Sequence, residues 1–273
     1  MSAREIENLS YLIDTHCHLD SQSFEDDLNE VIERAFSHNV RKIIIPGADI
    51  RTLPKAQAIA HKYEHVYFAA GVHPNDIDLF DMALLQSFAK DKKCIAIGEC
   101  GLDYYYLPSA TIEAEEGDTA QQRLEIKARQ KAYFIEQIKL SIALQKPLIL
   151  HIREASNDAF EILKDFNKAF GVLHCYNADR ILLELQERFY YGIGGVCTFK
   201  NARRLIEVLP LIPKSRLLLE TDAPYLTPHP HRGSRNEPYY IPLIMRQIAS
   251  VLGMSEEEVC QCSTRNALRL FNI

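Results

Sequence analysis

Residues 147–176 read PLILHIREASNDAFEILKDFNKAFGVLHCY. The short apolar runs PLILHI and GVLHCY flank a longer helix-like segment, and they carry His151 and His174 at their ends. A short apolar run without polar alternation is the pattern of a strand buried on both faces, as in a parallel sheet. The same unit recurs along the chain. Runs at YLIDTH, RKIIIPG, VYFAAGVHP, CIAIGEC, YYGIGGV and RLLLETD bring the number of predicted strands to eight, each separated from the next by a helix-like segment. Within FEDDLNEVIERAFSHN, Phe24, Leu28, Val31, Ile32 and Ala35 share one helical stripe, and QKAYFIEQIKLSIALQK places Phe134, Ile138 and Ile142 in the same way. The pattern predicts one α/β domain spanning residues 1–273, a (β/α)8 TIM-type barrel with parallel strands inside and helices outside. An open doubly wound sheet is the alternative.

One connection is longer than the rest. Between CIAIGEC and PLILHI the stretch YLPSATIEAEEGDTAQQRLE is small, acidic and polar, which predicts an exposed loop over Leu107–Thr119 that feeds a helix. The chain carries 31 Lys and Arg against 37 Asp and Glu, a formal charge of −6. That balance excludes a protein that coats nucleic acid through bulk positive charge, so a polyanionic substrate must be held by local cations. No leader-like segment appears, and no apolar run approaches the ~20 residues of a membrane span, so a cytoplasmic chain is expected. Nothing signals an obligate protein partner, and a monomer is expected. The seven cysteines include no CxxC pair, which argues against a disulfide framework or a four-thiolate zinc site, and Cys260 and Cys262 read as reduced, partly buried thiols.

The chemistry collects at predicted strand ends. His16 and His18, one residue apart on an extended segment, share a face. They end the first strand, Glu99 the fourth, His151 the fifth, His174 the sixth and Asp222 the eighth. In a parallel barrel all these ends lie on one rim, where sites of this fold are built. Four imidazoles and two carboxylates exceed the needs of one tetrahedral ion and suit two divalent cations bridged by a carboxylate, with Glu99 nearest the middle of the order. His73 and Asp103 end the third and fourth strands and read as supporting or substrate contacts. Arg153, Arg232 and Arg235 are candidates for phosphate contact, with a pairing to Glu154 or Glu237 as the structural alternative, and Tyr104, Tyr105 and Tyr225 for base stacking.

DTHCHLD, GVHP, IGECGLDYYY, LHIREA, LHCY, TFKNA, LLLETDAPYL, HRGSRNEP and STRNALRLF together resemble the TatD family of metal-dependent deoxyribonucleases, within the amidohydrolase-like barrels. The resemblance covers nearly the whole chain. It implies that His16, His18, Glu99, His151, His174 and Asp222 are the metal ligands, with Glu99 shared, and that DNA is the substrate. Bound to such a centre, water becomes a nucleophile near neutral pH, and Asp222 is placed to take its proton. The donor set suits Zn, Mn, Ni or Fe, although the family is usually described as using Mg. Two departures fall where substrate phosphate is expected: the family's HCFSG is here His174 to Ala178, HCYNA, and the Arg after GLDYY is Tyr106. A deacylase acting on an ester or amide, such as mischarged aminoacyl-tRNA, and a non-catalytic nucleic-acid-binding barrel are the alternatives. Glu99, where amide-cleaving barrels often bridge their metals with a modified Lys, favours phosphoester chemistry.

Overall fold

A computed structural model describes residues 10–108 and 116–273. The predicted strands are β1 Leu12–Asp14, β2 Val40–Ile45, β3 Val66–Ala70, β4 Cys94–Asp103, β5 Leu148–Arg153, β6 Gly171–Leu173, β7 Phe189–Ile193 and β8 Leu217–Leu219. Each pairs in parallel with the next, from β1 through β8. The barrel closes where β8 meets β1. Thr15 N–H donates to Leu219 O at 3.2 Å, Asp222 N–H to His16 O at 2.8 Å and His18 N–H to Ala223 O at 2.8 Å. The open-sheet alternative is thereby excluded.

The strand period of two sorts the core into an inside and an outside. Ile13, Ile44, Ala69, Ala96, Ile149, Val172, Tyr190 and Leu218, one from each strand, form a single buried cluster. Their neighbours in sequence, such as Ile43, Phe68, Leu148 and Leu219, belong to a second cluster shared with the helices. Those helices are α1 Leu28–Ser37, α2 Leu53–Lys62, α3 Met82–Ala89, α4 Glu116–Leu144, α5 Ser156–Asp165, α6 Arg203–Val208, α7 Ile241–Leu252 and α8 Glu256–Phe271. The closing STRNALRLF motif adds Ala267, Leu270 and Phe271 of α8 to the inner cluster, and Asn266 donates to Lys214 O and Leu217 O. Among the described residues, no helix is long and apolar enough to cross a membrane.

Three expectations need adjustment. Helix α1 begins at Leu28, and Phe24 reaches the core from a separate 3-10 turn, Gln22–Phe24. The crossover from β6 to β7 is the 3-10 segment Arg180–Leu185 rather than an α-helix. The exposed loop predicted over Leu107–Thr119 falls partly outside the described residues. Its ends are not exposed: Leu107 and Thr119 are both buried, and α4 has already begun at Glu116.

The β1–β8 seam is held by a buried polar knot. Asp14 accepts from Thr221 N–H (3.0 Å), the Thr221 hydroxyl (2.5 Å) and His16 N–H (3.2 Å), and Thr221 Oγ1 accepts from Ala223 N–H at 3.2 Å. Thr221→Val keeps the shape, removes the hydroxyl and leaves a buried carboxylate oxygen and an amide short of partners. Urea unfolding of this variant is expected to show a loss of about 1–3 kcal/mol. An unchanged midpoint would count against the seam as a source of stability.

Candidate metal centre

Glu99 stands at the centre of the rim. It lies in a bulge of β4, because Ile97 pairs with Leu148 while Cys100, three residues on, pairs with Leu150. Such an insertion re-aims a side chain. Strand β5 also comes very close: Gly101 has φ +142°, and a Cβ there would lie 2.0 Å from His151 O, so only glycine fits. The Glu99 carboxylate is then buried among imidazoles on both sides.

Its two oxygens face different sets of donors. Oε2 lies 3.3 Å from His16 Nε2 and 3.8 Å from His18 Nε2, while Asp222 Oδ1 lies 3.6 and 3.4 Å from the same two nitrogens. The His16 and His18 Nε2 atoms are themselves 3.3 Å apart. Ligand bonds of about 2.0–2.2 Å at tetrahedral angles put donors roughly 3.3–3.6 Å apart, so His16, His18 and Asp222 are spaced for one divalent cation, with Glu99 Oε2 beside the two imidazoles. Oε1 faces a second set: His151 Nδ1 at 3.1 Å, His174 Nε2 at 3.5 Å and His73 Nε2 at 3.7 Å. Three groups of mutually close ligand atoms result: His16, His18 and Asp222 on one side, His73, Asp103 and His151 on the other, and His16, Glu99 and His174 spanning the two. Asp222 sits at φ +58°, in the left-handed region that Asp tolerates better than most residues.

Carboxylates hold two of these rings from behind. Asp103 Oδ2 lies 3.0 Å from His151 Nε2, and Glu220 Oε1 lies 3.2 Å from His174 Nδ1. In each ring the nitrogen facing the supporting carboxylate keeps its proton, and the other, on the Glu99 side, is the one that can give up its proton to bind a cation. His73 differs. Its Nδ1 accepts from Asn75 N–H at 3.2 Å, which leaves Nε2 as an N–H donor aimed at the centre. Burial pushes His73 down to about 4 despite the pull of Glu99, so the ring is neutral. Burial acts upward on Glu99, but His16, His174 and His151 outweigh it and hold the carboxyl well below its usual range. Burial opposes charge on His174, yet Glu220 and Glu99 raise it to about 10.

The family model for TatD related DNase matches residues 13–272. The chain belongs to this family. A metal-dependent hydrolase of Bacillus subtilis strain 168, YabD, is 39% identical over 269 residues, covering 96% of this chain and 99% of that protein. A 3'-5' ssDNA/RNA exonuclease TatD of Escherichia fergusonii is 33% identical over 277 residues, covering 96% and 99%. The crystal structure of the TatD homologue YjjV from Escherichia coli K12 superposes with a TM-score of 0.82 at 27% identity, covering 96% and 98%. The chain is therefore a member of a metal-dependent hydrolase family with the barrel described above.

The other expected contacts divide. Arg153 reaches the mouth, stacked 3.7 Å over Tyr105 and 3.3 Å from the Tyr106 hydroxyl. Arg232 is exposed, lies 3.8 Å over Phe199 and donates to Thr227 O. Arg235 corrects the expectation of a phosphate contact: its donors go to Asp27, Glu237 and Ser23 O, so it braces the loop. Tyr104 turns outward to Asp158 at 2.6 Å, whereas Tyr105 and Tyr225 stay exposed. Of the departures from the family pattern, Tyr106 is exposed at the mouth, but Tyr176 and Ala178 are buried and face packing. Asn177 donates to Ile152 O and Ser156 Oγ, which also turns it away from substrate.

Sequence reasoning missed Glu220, Gln130 and Gln137. The two glutamines of α4 grip strand ends as a paired strand would: Gln130 bonds both Asp103 N–H and O at 3.0 Å, and Gln137 bonds Val72 N–H and O at 2.8 and 3.1 Å. Glu220 has room only because residue 192 is glycine, where a Cβ would lie 2.1 Å from Glu220 Oε2. Glu220→Gln is expected to keep the fold and to weaken metal affinity about 10- to 100-fold, read by competition with a chromogenic chelator. Wild-type affinity in this variant would make Glu220 a spacer rather than a support for His174.

Proposed function

We propose that this chain is a two-metal phosphodiesterase that removes nucleotides from the ends of single-stranded DNA. The observation that carries the reading is the division of Glu99: one buried carboxylate, each oxygen facing its own imidazole set. His16, His18, Asp222 and Glu99 would hold one cation, and Glu99, His151 and His174 the other. Cations so held acidify water and neutralise phosphate charge. Zn, Mn or Ni fits the imidazole-rich set better than Mg, which prefers oxygen and keeps its waters. The relative named as a 3'-5' ssDNA/RNA exonuclease supports nucleic acid as the substrate class.

The chain's own groups then have definite tasks. Asp222, with its side chain 13% exposed at the edge of the cluster, takes the proton of the attacking water. His73 offers its Nε2–H to a phosphate oxygen, and Asp103 keeps His151 in the tautomer the site needs. Arg153, held flat against Tyr105, presents its remaining donors to the chain of phosphates, and Tyr105 and Tyr225 offer faces for bases. Arg232 extends the positive rim.

Labelled single-stranded DNA, duplex DNA, RNA and aminoacyl-tRNA, each with and without chelator, test the assignment. Single-stranded DNA is expected to be degraded from its ends, with activity abolished by chelation and restored by Mn or Mg. Full activity after exhaustive chelation, or turnover of aminoacyl-tRNA alone, would overturn the reading. The base is tested separately. Asp222→Asn is expected to lower kcat at least about a hundredfold, with the melting temperature nearly unchanged. A variant that retains full metal content and more than roughly a tenth of wild-type kcat would remove Asp222 from that role.

A further inference from the structure

A pocket of about 440 Å³ opens at the outer rim of the catalytic face, away from the ligand cluster. Thr198 and Lys200 come from the loop after β7, His229 from the loop after β8, and Leu243, Arg246 and Gln247 from the first turns of α7. Both loops leave strand ends on the rim that carries Asp222. They are locked together. A Cβ on Gly195 would lie 2.1 Å from Leu226 O, and Thr198 Oγ1 donates to Gly195 O at 2.7 Å while accepting His229 N–H at 2.8 Å. The pocket wall is thus one piece with the loop that runs on from Asp222 and Tyr225.

Its charge runs against that of the molecule. The chain carries −6 overall, yet none of the pocket-lining residues is a carboxylate. Arg246 is neutralised by Glu256 at 3.1 Å. Lys200 is exposed, and among the described residues it makes no ion pair. Arg232 lies 3.8 Å over Phe199, whose neighbours in sequence are Thr198 and Lys200, and so continues the positive strip from the pocket toward the mouth. Ammonium, amide and imidazole groups around a hollow whose nearest recorded acid, Glu256, is engaged by Arg246 form a set suited to a phosphate diester.

We propose that this pocket is a second phosphate subsite, one that holds the backbone of a single-stranded nucleic acid at a distance from the scissile bond. Lys200 supplies the charge, and Gln247 and His229 supply hydrogen bonds. The inference rests on the phosphodiesterase reading above and adds to it a preference for polymers over short substrates. On a chain of net negative charge such a contact holds the strand locally, and it contributes affinity that a dinucleotide does not reach.

The test uses the metal-loaded full chain. Anisotropy of a labelled, cleavage-resistant phosphorothioate thymidine strand of about 12 nucleotides, a length within known single-strand site sizes, gives Kd from roughly 50 to 200 mM salt. Hydrolysis of a thymidine dinucleotide is measured in parallel. Lys200→Ala is expected to raise Kd for the long strand roughly fivefold and to flatten its salt slope by about 0.7, the signature of one lost phosphate contact. Lys200→Arg is expected to preserve both, and kcat/KM on the dinucleotide to stay within about twofold. Unchanged Kd and slope in Lys200→Ala, an equal loss on the dinucleotide, or no binding of the long strand by the wild type would each overturn the subsite. A wild type that binds the strand, with Lys200→Ala weakening it as described, but that hydrolyses neither substrate upholds the subsite and removes the phosphodiesterase reading instead.

Discussion

Burial of the Glu99 carboxylate, 3% exposed, is the constraint around which the rest of the rim is organised. A charge in that position is tolerated only when positive or hydrogen-bonding partners surround it, because the uncompensated cost is several kcal/mol or more. The β4 bulge turns the side chain inward, Gly101 lets β5 approach, and four other strands deliver their terminal donors to the same spot. Without a cation the compensation is protonic, which is why His174 is driven up to about 10 by Glu220 and Glu99 against burial. A cation entering the site must displace that proton, so occupancy is tied to pH, being weakened by acid and favoured as the medium becomes basic.

The supporting residues follow from the same constraint. Asp103 uses both oxygens: Oδ2 faces His151, while Oδ1 accepts from Tyr105 N–H at 2.9 Å and Tyr106 N–H at 3.4 Å. One carboxylate therefore fixes an imidazole of the centre and the aromatic turn at the mouth. Gln130 holds that same strand end by its backbone, so the turn has little freedom to shift without disturbing His151. A site supported at this depth keeps its geometry because the parts cannot move independently.

How much of this was legible in the sequence depended on the range of the interaction. Strand placement was legible because buried strands are written as local apolar runs, and the fold class followed because their ends carried the chemistry. The division of labour between the two oxygens of Glu99 was not, since it depends on a bulge of one residue and on the register with β5. Gln130 and Gln137 did leave a mark. They lie on the α4 stripe with Phe134 and Ile138, and a polar residue on an apolar stripe implies a buried partner. Glu220 left a similar one, a charge directly after the apolar run of β8. Arginine roles were illegible for a different reason: the guanidinium lies at the end of a long side chain, so Arg235 and Arg153, similar in sequence context, end in an ion-pair network and on an aromatic face.

The acidic charge of the chain and its proposed polyanionic substrate are compatible only if attraction is local, and pairing decides which guanidinium groups are available for it. Arg34, Arg51, Arg129, Arg235 and Arg246 are each matched by carboxylates and contribute little field beyond their partners. Arg153 and Arg232 make no ion pair among the described residues, and each lies against an aromatic ring, a support that orients the guanidinium and leaves its charge uncancelled. Both stand on the catalytic rim. On the proposed reading, these two uncancelled guanidinium groups beside the centre are the ones that face a phosphate chain, while the paired arginines serve the scaffold.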